Sequence, residues 1–536
     1  MCETSQASGG AGEKVTEVQE TNDNTRRAKQ VSTIRGAATD FFIPDEYRPG
    51  QREAIEKIDT AFQRGARFVI LEGPTGIGKS HIARAFAFQY GNSHILTIQK
   101  GLQDQYATDF PDMYIVKGRG AYTCKVPVRS CANGPCKMDK TLAHDDCPYK
   151  AALTESRKAP VVVHNFDSFY YQGQAYPHGE RELIVVDEAH NIENKFLNFM
   201  EFVISNKEDV RIVIPKYDTL DEYAEFLEIQ HHNILAEMDR LVESRRSDPG
   251  TIRRVDELKA LGGRIHKYFE YKDQGIEYVF EYNDKLKYTR LMIKPVMVGD
   301  FVENYLLSNA RRVLLMSATI LDKGMFCESV GINPREAVFI QMPSIFPIKN
   351  RPIVFKPAGK MSWKFKKETQ PKMLESIQKI LAAKDKFTGI IQTHNEEVAN
   401  YIKYNLDEPR LTFRKDYFTV EEMMEVHRQK EASVIVASGL REGVDLKDGL
   451  SRFQIICKVP WPNKNDPRVK RRVELKDKWY IYMAALMFVQ MLGRSVRSVE
   501  DKAITYILDE GFKSFFNMGG REFIPQYIRR AIKWAE

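Results

Sequence analysis

Eight consecutive residues, Gly73-Pro74-Thr75-Gly76-Ile77-Gly78-Lys79-Ser80, have the types and spacing to hold a polyphosphate. Backbone N–H groups of such a loop converge on anionic oxygens, and a helix starting at its end adds a favourable dipole. Lys79 would reach the β and γ phosphates of ATP, and Ser80 would ligate Mg²⁺. Far downstream stands Asp187-Glu188-Ala189-His190. Asp187 would hold the same Mg²⁺, directly or through water, and Glu188 would position or deprotonate the attacking water. Near the C-terminus runs Gln490-Met491-Leu492-Gly493-Arg494-Ser495-Val496-Arg497. Arg494 and Arg497 are three apart and share a helical face. With Gln490 they could stabilise charge on the transferring phosphoryl group from a second domain.

These segments need elements to aim them. Phe68-Val69-Ile70-Leu71-Glu72 reads as a buried strand, and a helix follows the glycine-rich loop through His81 to Phe86. Strand, loop and helix in that order are the context that gives the phosphate loop its meaning. Asp187 follows the apolar run Leu183 to Val186, which places it at a strand's C-terminal end, where open sheets bind ligands. Residues 51–64 carry apolar side chains at helical spacing. Further strands are expected at His94 to Ile98, Val161 to Val163 and Val313 to Met316, alternating with helical stretches in a parallel α/β sheet. Ser317-Ala318-Thr319 follows the last of these, and its hydroxyls could relay between the ATP site and a second ligand. Asp221 to Arg245 and Ile252 to Tyr271 are charged and helix-forming, which suggests a helical insertion. A second α/β set begins near 350, with strands expected at Gly389 to Gln392, Ser433 to Ala437, Phe453 to Val459 and Ala503 to Leu508.

At 536 residues the chain exceeds one hydrophobic core, and roughly 150 residues per domain suggests three or four units. Residues 1–38 are rich in Ser, Gly, Thr and Glu and are expected to be a disordered leader. No apolar run approaches the roughly 18 residues of a membrane span, and the first residues lack the pattern of a secretory signal. A soluble intracellular protein is expected, with cytoplasm and nucleus undistinguished. The net charge of +7 suits a polyanionic partner.

Four of the seven cysteines, Cys124, Cys131, Cys136 and Cys147, cluster with the spacing C-x6-C-x4-C-x10-C. Zinc ribbons bring cysteines two to four residues apart in pairs; here only the middle gap is that short. Irregular spacing suits an iron–sulfur cluster, while zinc and unligated thiols stay open. Basic and aromatic residues interleave at 117–122 and 360–367, and a basic run spans 464–472. Such mixtures neutralise phosphates and stack bases.

The order of motifs resembles the XPD/DinG family, iron–sulfur DNA helicases of superfamily two. Tyr47-Arg48-Pro49-Gly50-Gln51 resembles the family's adenine-side motif, with Gln51 reading the base. Thr97 to Gln105 resembles a DNA-contacting motif. Lys117 to Cys124 and Cys147-Pro148-Tyr149 resemble the entry to and exit from the cluster loop, and Val161 to Asn165 the strand behind it. Ser344-Ile345-Phe346-Pro347 resembles the crossing to the second motor domain, Arg441-Glu442-Gly443-Val444-Asp445 motif V, and Gln490 to Arg497 motif VI.

The resemblance implies two RecA-like P-loop domains: 39–335, holding a cluster insertion at 111–160 and a helical Arch-like insertion at 200–305, and 336–536. It implies a [4Fe–4S] cluster on Cys124, Cys131, Cys136 and Cys147, with Asp445 joining the nucleotide-binding residues. It further implies a monomeric motor that moves 5′ to 3′ on single-stranded DNA, meets single-strand/double-strand junctions, and serves repair or replication. Gln99 and Arg441 stand where the family usually has Thr and an aromatic. Two rival readings are a translocase that strips proteins without unwinding and a non-catalytic redox module on nucleic acid.

Overall fold

The computed structural model describes residues 36–125, 131, 146–175, 177–206, 212–244, 249–285, 288–439, 446, 449–496 and 498–534. The expected leader lies outside them up to position 35.

The first sheet is laid down by β1 (Phe68–Glu72), β2 (Ser93–Thr97), β3 (Tyr114–Val116), β4 (Val161–Asn165) and β5 (Arg181–Asp187). The chain then leaves to build β6 (Phe202–Ser205), β7 (Tyr278–Asn283) and β8 (Arg290–Pro295), and returns with β9 (Ala310–Ser317) and β10 (Ala337–Gln341). The order across the first sheet is β10-β1-β9-β5-β2-β4-β3, every pairing parallel. Helix α1 (Gln51–Gln63) precedes β1; α2 (Lys79–Tyr90), α3 (Lys100–Asp109), α4 (Pro148–Lys158) and α5 (Phe166–Ala175) connect successive strands, and α6 (Ile192–Met200) leads out to β6. Strands β1, β2, β4 and β5 are buried along their whole length. That explains why Val and Ile run without alternation: both faces of a parallel sheet are covered.

This strand order matters for the site. Strands β1, β9 and β5 are neighbours, so their C-terminal ends carry the phosphate loop, Ser317 and Asp187 side by side. The second sheet uses β11 (Ile353–Gly359), β12 (Gly389–Gln392), β13 (Leu411–Phe413), β14 (Val434–Ala437), β15 (Phe453–Ile456), β16 (Ile504–Asp509) and β17 (Ile532–Trp534). Its order is β13-β14-β12-β15-β16-β11-β17, also wholly parallel. The two α/β halves fit two RecA-like motor domains.

The insertion is not purely helical, in contrast to what its charge-rich sequence suggests. Two long helices, α7 (Leu220–Glu243) and α8 (Pro249–Asp273), are joined by the antiparallel sheet β6-β8-β7. In β8 the buried residues alternate, with Leu291 and Ile293 fully inside. They share one apolar core with Tyr223 of α7 and Ile265 of α8, and with Ile70 and Ile184 of the first sheet. The period of two is present in Arg290 to Pro295, in a segment too short to stand out beside two long helical patterns. Strands β3, β10, β13 and β17, missed in the sequence, are the sheet edges; β10 is short and only partly covered, with Val338 exposed.

Candidate active site

The phosphate loop turns out of β1 as the motif requires. Gly76 and Gly78 take positive φ of 82° and 79°, a conformation with little cost only for glycine. A Cβ on Gly73 would meet Ile77 Cδ1 at 2.4 Å, so the first glycine is needed for close packing. Lys79 is buried at the N-terminus of α2, and its ammonium donates to the Gly73 carbonyl at 3.3 Å. The loop is tied to the neighbouring strand where Gly73 N donates to Ser317 O at 2.9 Å.

Asp187 ends β5 and is 4% exposed. Burial, with the neighbouring Glu188 charge second, pushes its carboxyl up to about 6, while Lys79 opposes the shift. A divalent cation would keep it ionised. Tyr106, from α3, directs its hydroxyl to Asp187 Oδ2 at 3.4 Å. Glu188 adopts φ 56° and ψ 44°, a left-handed conformation that costs a non-glycine residue of order 1–3 kcal/mol. His190 links two motifs: its Nδ1 lies 2.7 Å from Ser317 Oγ and 3.3 Å from Glu188 Oε2. Burial lowers the His190 pKa, so the neutral ring is favoured at neutral pH. Ser317 Oγ also accepts from Thr319 N at 3.0 Å, holding the turn after β9.

Glu72, which the sequence marks only as the end of a strand, braces this turn. Its carboxylate accepts from Ile320 N at 2.6 Å, from Leu321 N, and from Gln341 Nε2 at 2.6 Å. Register carries this arrangement, because Glu72 pairs with Ser317 on one side and Gln341 on the other. From the second half, Tyr482 donates its hydroxyl to Ile320 O at 3.0 Å.

Arg494 follows the helix Asp477–Leu492 and is 7% exposed. Polar residues on the second sheet seat this helix end: Gln392 Nε2 donates to Met491 O at 3.0 Å, and Gln454 Nε2 to Leu492 O at 3.3 Å. Ser495 Oγ meets Ser451 Oγ at 2.7 Å. The result is a cleft of about 420 Å³ between the halves, to which Pro74, Thr75 and Glu188 come from one side and Gln490, Gly493 and Arg494 from the other. The crossing near Ser344 lines it too, where Arg351 donates to Ser344 Oγ and Phe346 O, both at 2.8 Å. On the other flank of the loop, Gln51 is buried; its Oε1 accepts from Arg48 N at 2.9 Å and its Nε2 donates to Gly78 O at 3.3 Å. A second opening there is lined by Pro44, Glu46, Arg48, Gln51 and His81.

Arg497, Asp445 with the rest of motif V, and Cys136 lie outside the described residues. Among the described residues, Cys124, Cys131 and Cys147 form no disulfide. Cys131 is buried, with its N–H donating to Tyr122 O at 2.9 Å, and Cys147 stands at the N-cap of α4. Of the three basic segments, 360–367 exposes Trp363 and Phe365. In 464–472, however, Arg468 and Arg472 are buried, which removes them from any nucleic-acid surface. Among the described residues no helix is long and apolar enough to cross a membrane.

Comparison with known proteins agrees with this architecture. Residues 353–529 match the helicase C-terminal domain model, and residues 45–225 match the model of the type III restriction enzyme res subunit. A probable ATP-dependent helicase of Methanocaldococcus jannaschii is 21% identical over 91% of this chain and 95% of its own length. The ATP-dependent DNA helicase XPD of Sulfolobus acidocaldarius is 20% identical, covering 87% and 97% respectively. Among solved structures, an XPD helicase superposes with a TM-score of 0.65 at 15% identity, covering 92% of this chain and all of that one. S. tokodaii Xpd4 gives a TM-score of 0.60 at 14% identity over 91% of this chain. Both are likenesses of fold. With its phosphate loop, Asp-Glu-Ala-His segment and C-terminal arginine disposed around one cleft, the chain is similar to the XPD/DinG-like ATP-dependent helicases of superfamily two.

Proposed function

We propose that this helicase acts on DNA, moving 5′ to 3′ along one strand and unwinding the duplex ahead of it, in repair or replication. The observation that carries the catalytic part is the cleft to which Thr75 and Glu188 contribute from one half and Gln490 and Arg494 from the other. A γ-phosphate held there touches both halves, so its hydrolysis changes how strongly they are drawn together.

In this reading, residues 73–80 cradle the phosphates, and Gln51 stands beside the opening that takes the base. Ser80 and Asp187 would hold Mg²⁺, which supplies charge to the phosphate oxygens. Glu188 orients water and takes up its proton. Arg494, with Gln490 and Arg497, meets charge developing on the transferred group. Tyr106 positions the Asp187 carboxylate. Ser317, Thr319 and His190 carry the state of the cleft to the strand path, with Glu442 and Asp445 taking the same part from the second half. Cys124, Cys131, Cys136 and Cys147 would hold a [4Fe–4S] cluster that makes their loop rigid enough to part a duplex. Exposed Trp363 offers a stacking platform.

The test is strand displacement on forked DNA with a 5′ or a 3′ single-stranded tail, at saturating MgATP. Displacement confined to the 5′-tailed fork supports the proposal. Displacement from the 3′ tail overturns the polarity. ATP hydrolysis stimulated by single-stranded DNA without displacement on either fork overturns unwinding and leaves a translocase.

A further inference from the structure

We propose that His94, His164 and His178 form a second metal site, for one borderline divalent cation such as zinc, at the base of the helix that leaves the cysteine loop. Their donor atoms lie within 4.8 Å of one another, the one such group of three or more His, Cys, Asp or Glu among the described residues. His94 comes from β2, His164 from β4 and His178 from the connection between α5 and β5. None belongs to the nucleotide cleft, and the inference does not depend on the proposed substrate or polarity.

Four observations point to a ligand. First, His94 and His164 are 2% and 1% exposed; neither ring nitrogen of His94 has a hydrogen-bond partner, and the Gln172 amide lies against the His164 ring. Buried imidazole nitrogens left in this state are costly, and a metal ion satisfies them. Second, His178 Nε2 pairs with Phe169 O at 2.8 Å. That bond makes Nε2 the protonated nitrogen and leaves the Nδ1 lone pair free, the outer-shell arrangement typical of metal-bound histidine.

Third, the ring centroids are 4.9, 5.5 and 5.5 Å apart, with the rings inclined at 71–74° to one another. Three imidazoles on a tetrahedral ion at about 2.0–2.1 Å place their centroids roughly 5 Å apart. The 4.8 Å limit on the donor atoms is looser than the roughly 3.3 Å of such a site, so small ring rotations would close it. Fourth, the histidines enclose a cavity of about 20 Å³, also lined by Gln172, with room for one ion or one water. The Gln172 amide lies against His164, yet its Oε1 makes no hydrogen bond of normal geometry. It is available as a fourth ligand.

The backbone accommodates this grouping. Gly173 lies inside α5, and a Cβ there would stand 3.2 Å from the His178 ring. Burial, the largest influence on all three histidines, favours their neutral, ligating forms. The donor set is nitrogen-rich and contains no carboxylate, which selects zinc, cobalt, nickel or copper over magnesium or calcium. The charged residues on the cavity wall are Arg157 and Arg181. Arg181 directs its donors to Asn92 Oδ1 at 2.8 Å and to Ala159 O and Ser156 O, both at 3.0 Å. These two cations oppose the metal, so hydroxide or another small anion would compete with Gln172 for the last position. Leu153, Ser156 and Arg157 of α4 form the roof. A bound ion would therefore clamp β2, β4 and the α5–β5 connection beneath the helix that starts at Cys147.

The test titrates cobalt(II) into anaerobically purified full-length protein of unchanged iron content. The expected result is one equivalent bound, with the visible band of a four-coordinate nitrogen–oxygen site and a rise in Tm reproduced by zinc. His178→Gln should weaken binding about 100-fold or more and abolish both signals while leaving iron content unchanged. Absence of the band and of the Tm shift in the wild type means that the cavity holds only water and overturns the proposal. So does a band with thiolate-to-metal absorption, or one that persists in His178→Gln. Anomalous scattering across the zinc absorption edge, from wild-type crystals soaked in zinc, decides the same question with no variant: a peak between the three rings supports the site, and its absence refutes it.

Discussion

Two of the contacts between the motor halves are built on opposite plans. At the nucleotide cleft the halves leave about 420 Å³ open between Thr75 and Glu188 on one side and Gln490 and Arg494 on the other. At the second contact, the helix Pro467–Leu475 of the second half is fastened to the first half and its insertion. Arg468 is buried against Glu193 of α6 and donates to Pro295 O at 3.2 Å and Val296 O at 3.1 Å. Lys294 of β8 pairs with Asp466 at 3.1 Å, and Arg471 with Glu277 at 2.6 Å. One contact leaves space in which the proposed nucleotide would come and go, and the other uses its charges to join protein to protein. A motor needs both, since closure at the cleft does work only if the halves stay joined elsewhere.

Substitutions should separate the two contacts. The largest effect is expected for Lys79→Ala, which removes the cation proposed to meet the phosphates. ATP hydrolysis should fall by about 10³-fold or more with Tm unchanged, measured by phosphate release and thermal unfolding. Arg468→Ala should do the reverse. It leaves the buried Glu193 carboxylate with only Arg472, 3.8 Å away, and should cost at most about 3–5 kcal/mol of stability, seen as a lower denaturant midpoint, while nucleotide binding survives at low temperature. If Arg468→Ala leaves the midpoint in place, the second contact is not a fastening and the comparison fails.

Glu188→Gln sharpens the cleft side. The amide cannot take the proton from water, so kcat should drop about 10²–10⁴-fold with little change in KM. A matching rise in KM would instead make Glu188 a binding residue. The smallest effect is expected for Tyr482→Phe, which removes the bond to Ile320 O across the halves. It should cost about 1 kcal/mol in thermal unfolding, and should lower the stimulation of ATP hydrolysis by DNA more than the basal rate. Equal loss of both rates would mean that the bond supports the fold without coupling the halves.

Much of the cleft is legible in the amino-acid sequence. Phe68 to Glu72, the glycine-rich loop and α2 are consecutive, so their geometry follows from local backbone preferences. Leu183 to Asp187 is equally self-contained. Glu72 reads only as a strand end, because its partners Ile320, Leu321 and Gln341 become neighbours only through the pairing of β1 with β9 and β10. Tyr106 is silent for a related reason: one tyrosine on a helix carries no signal until α3 is packed against the end of β5. The basic run at 464–472 misleads in the other direction, since charge density along a sequence does not reveal whether an arginine faces solvent or a buried Glu193.

The sequence alone pointed to the chemistry that neighbouring residues can perform together: a phosphate loop, a carboxylate pair at a strand end, two arginines three residues apart (though Arg494 lies beyond the helix that ends at Leu492, off the expected helical face), and four cysteines in one loop. Those follow from spacing, and spacing is written in the chain. Tertiary structure decided which of these face one another, because strand order and register bring together residues far apart in sequence. It set Arg494 across the cleft from Glu188, turned Arg468 inward, and brought His94, His164 and His178 around one small cavity.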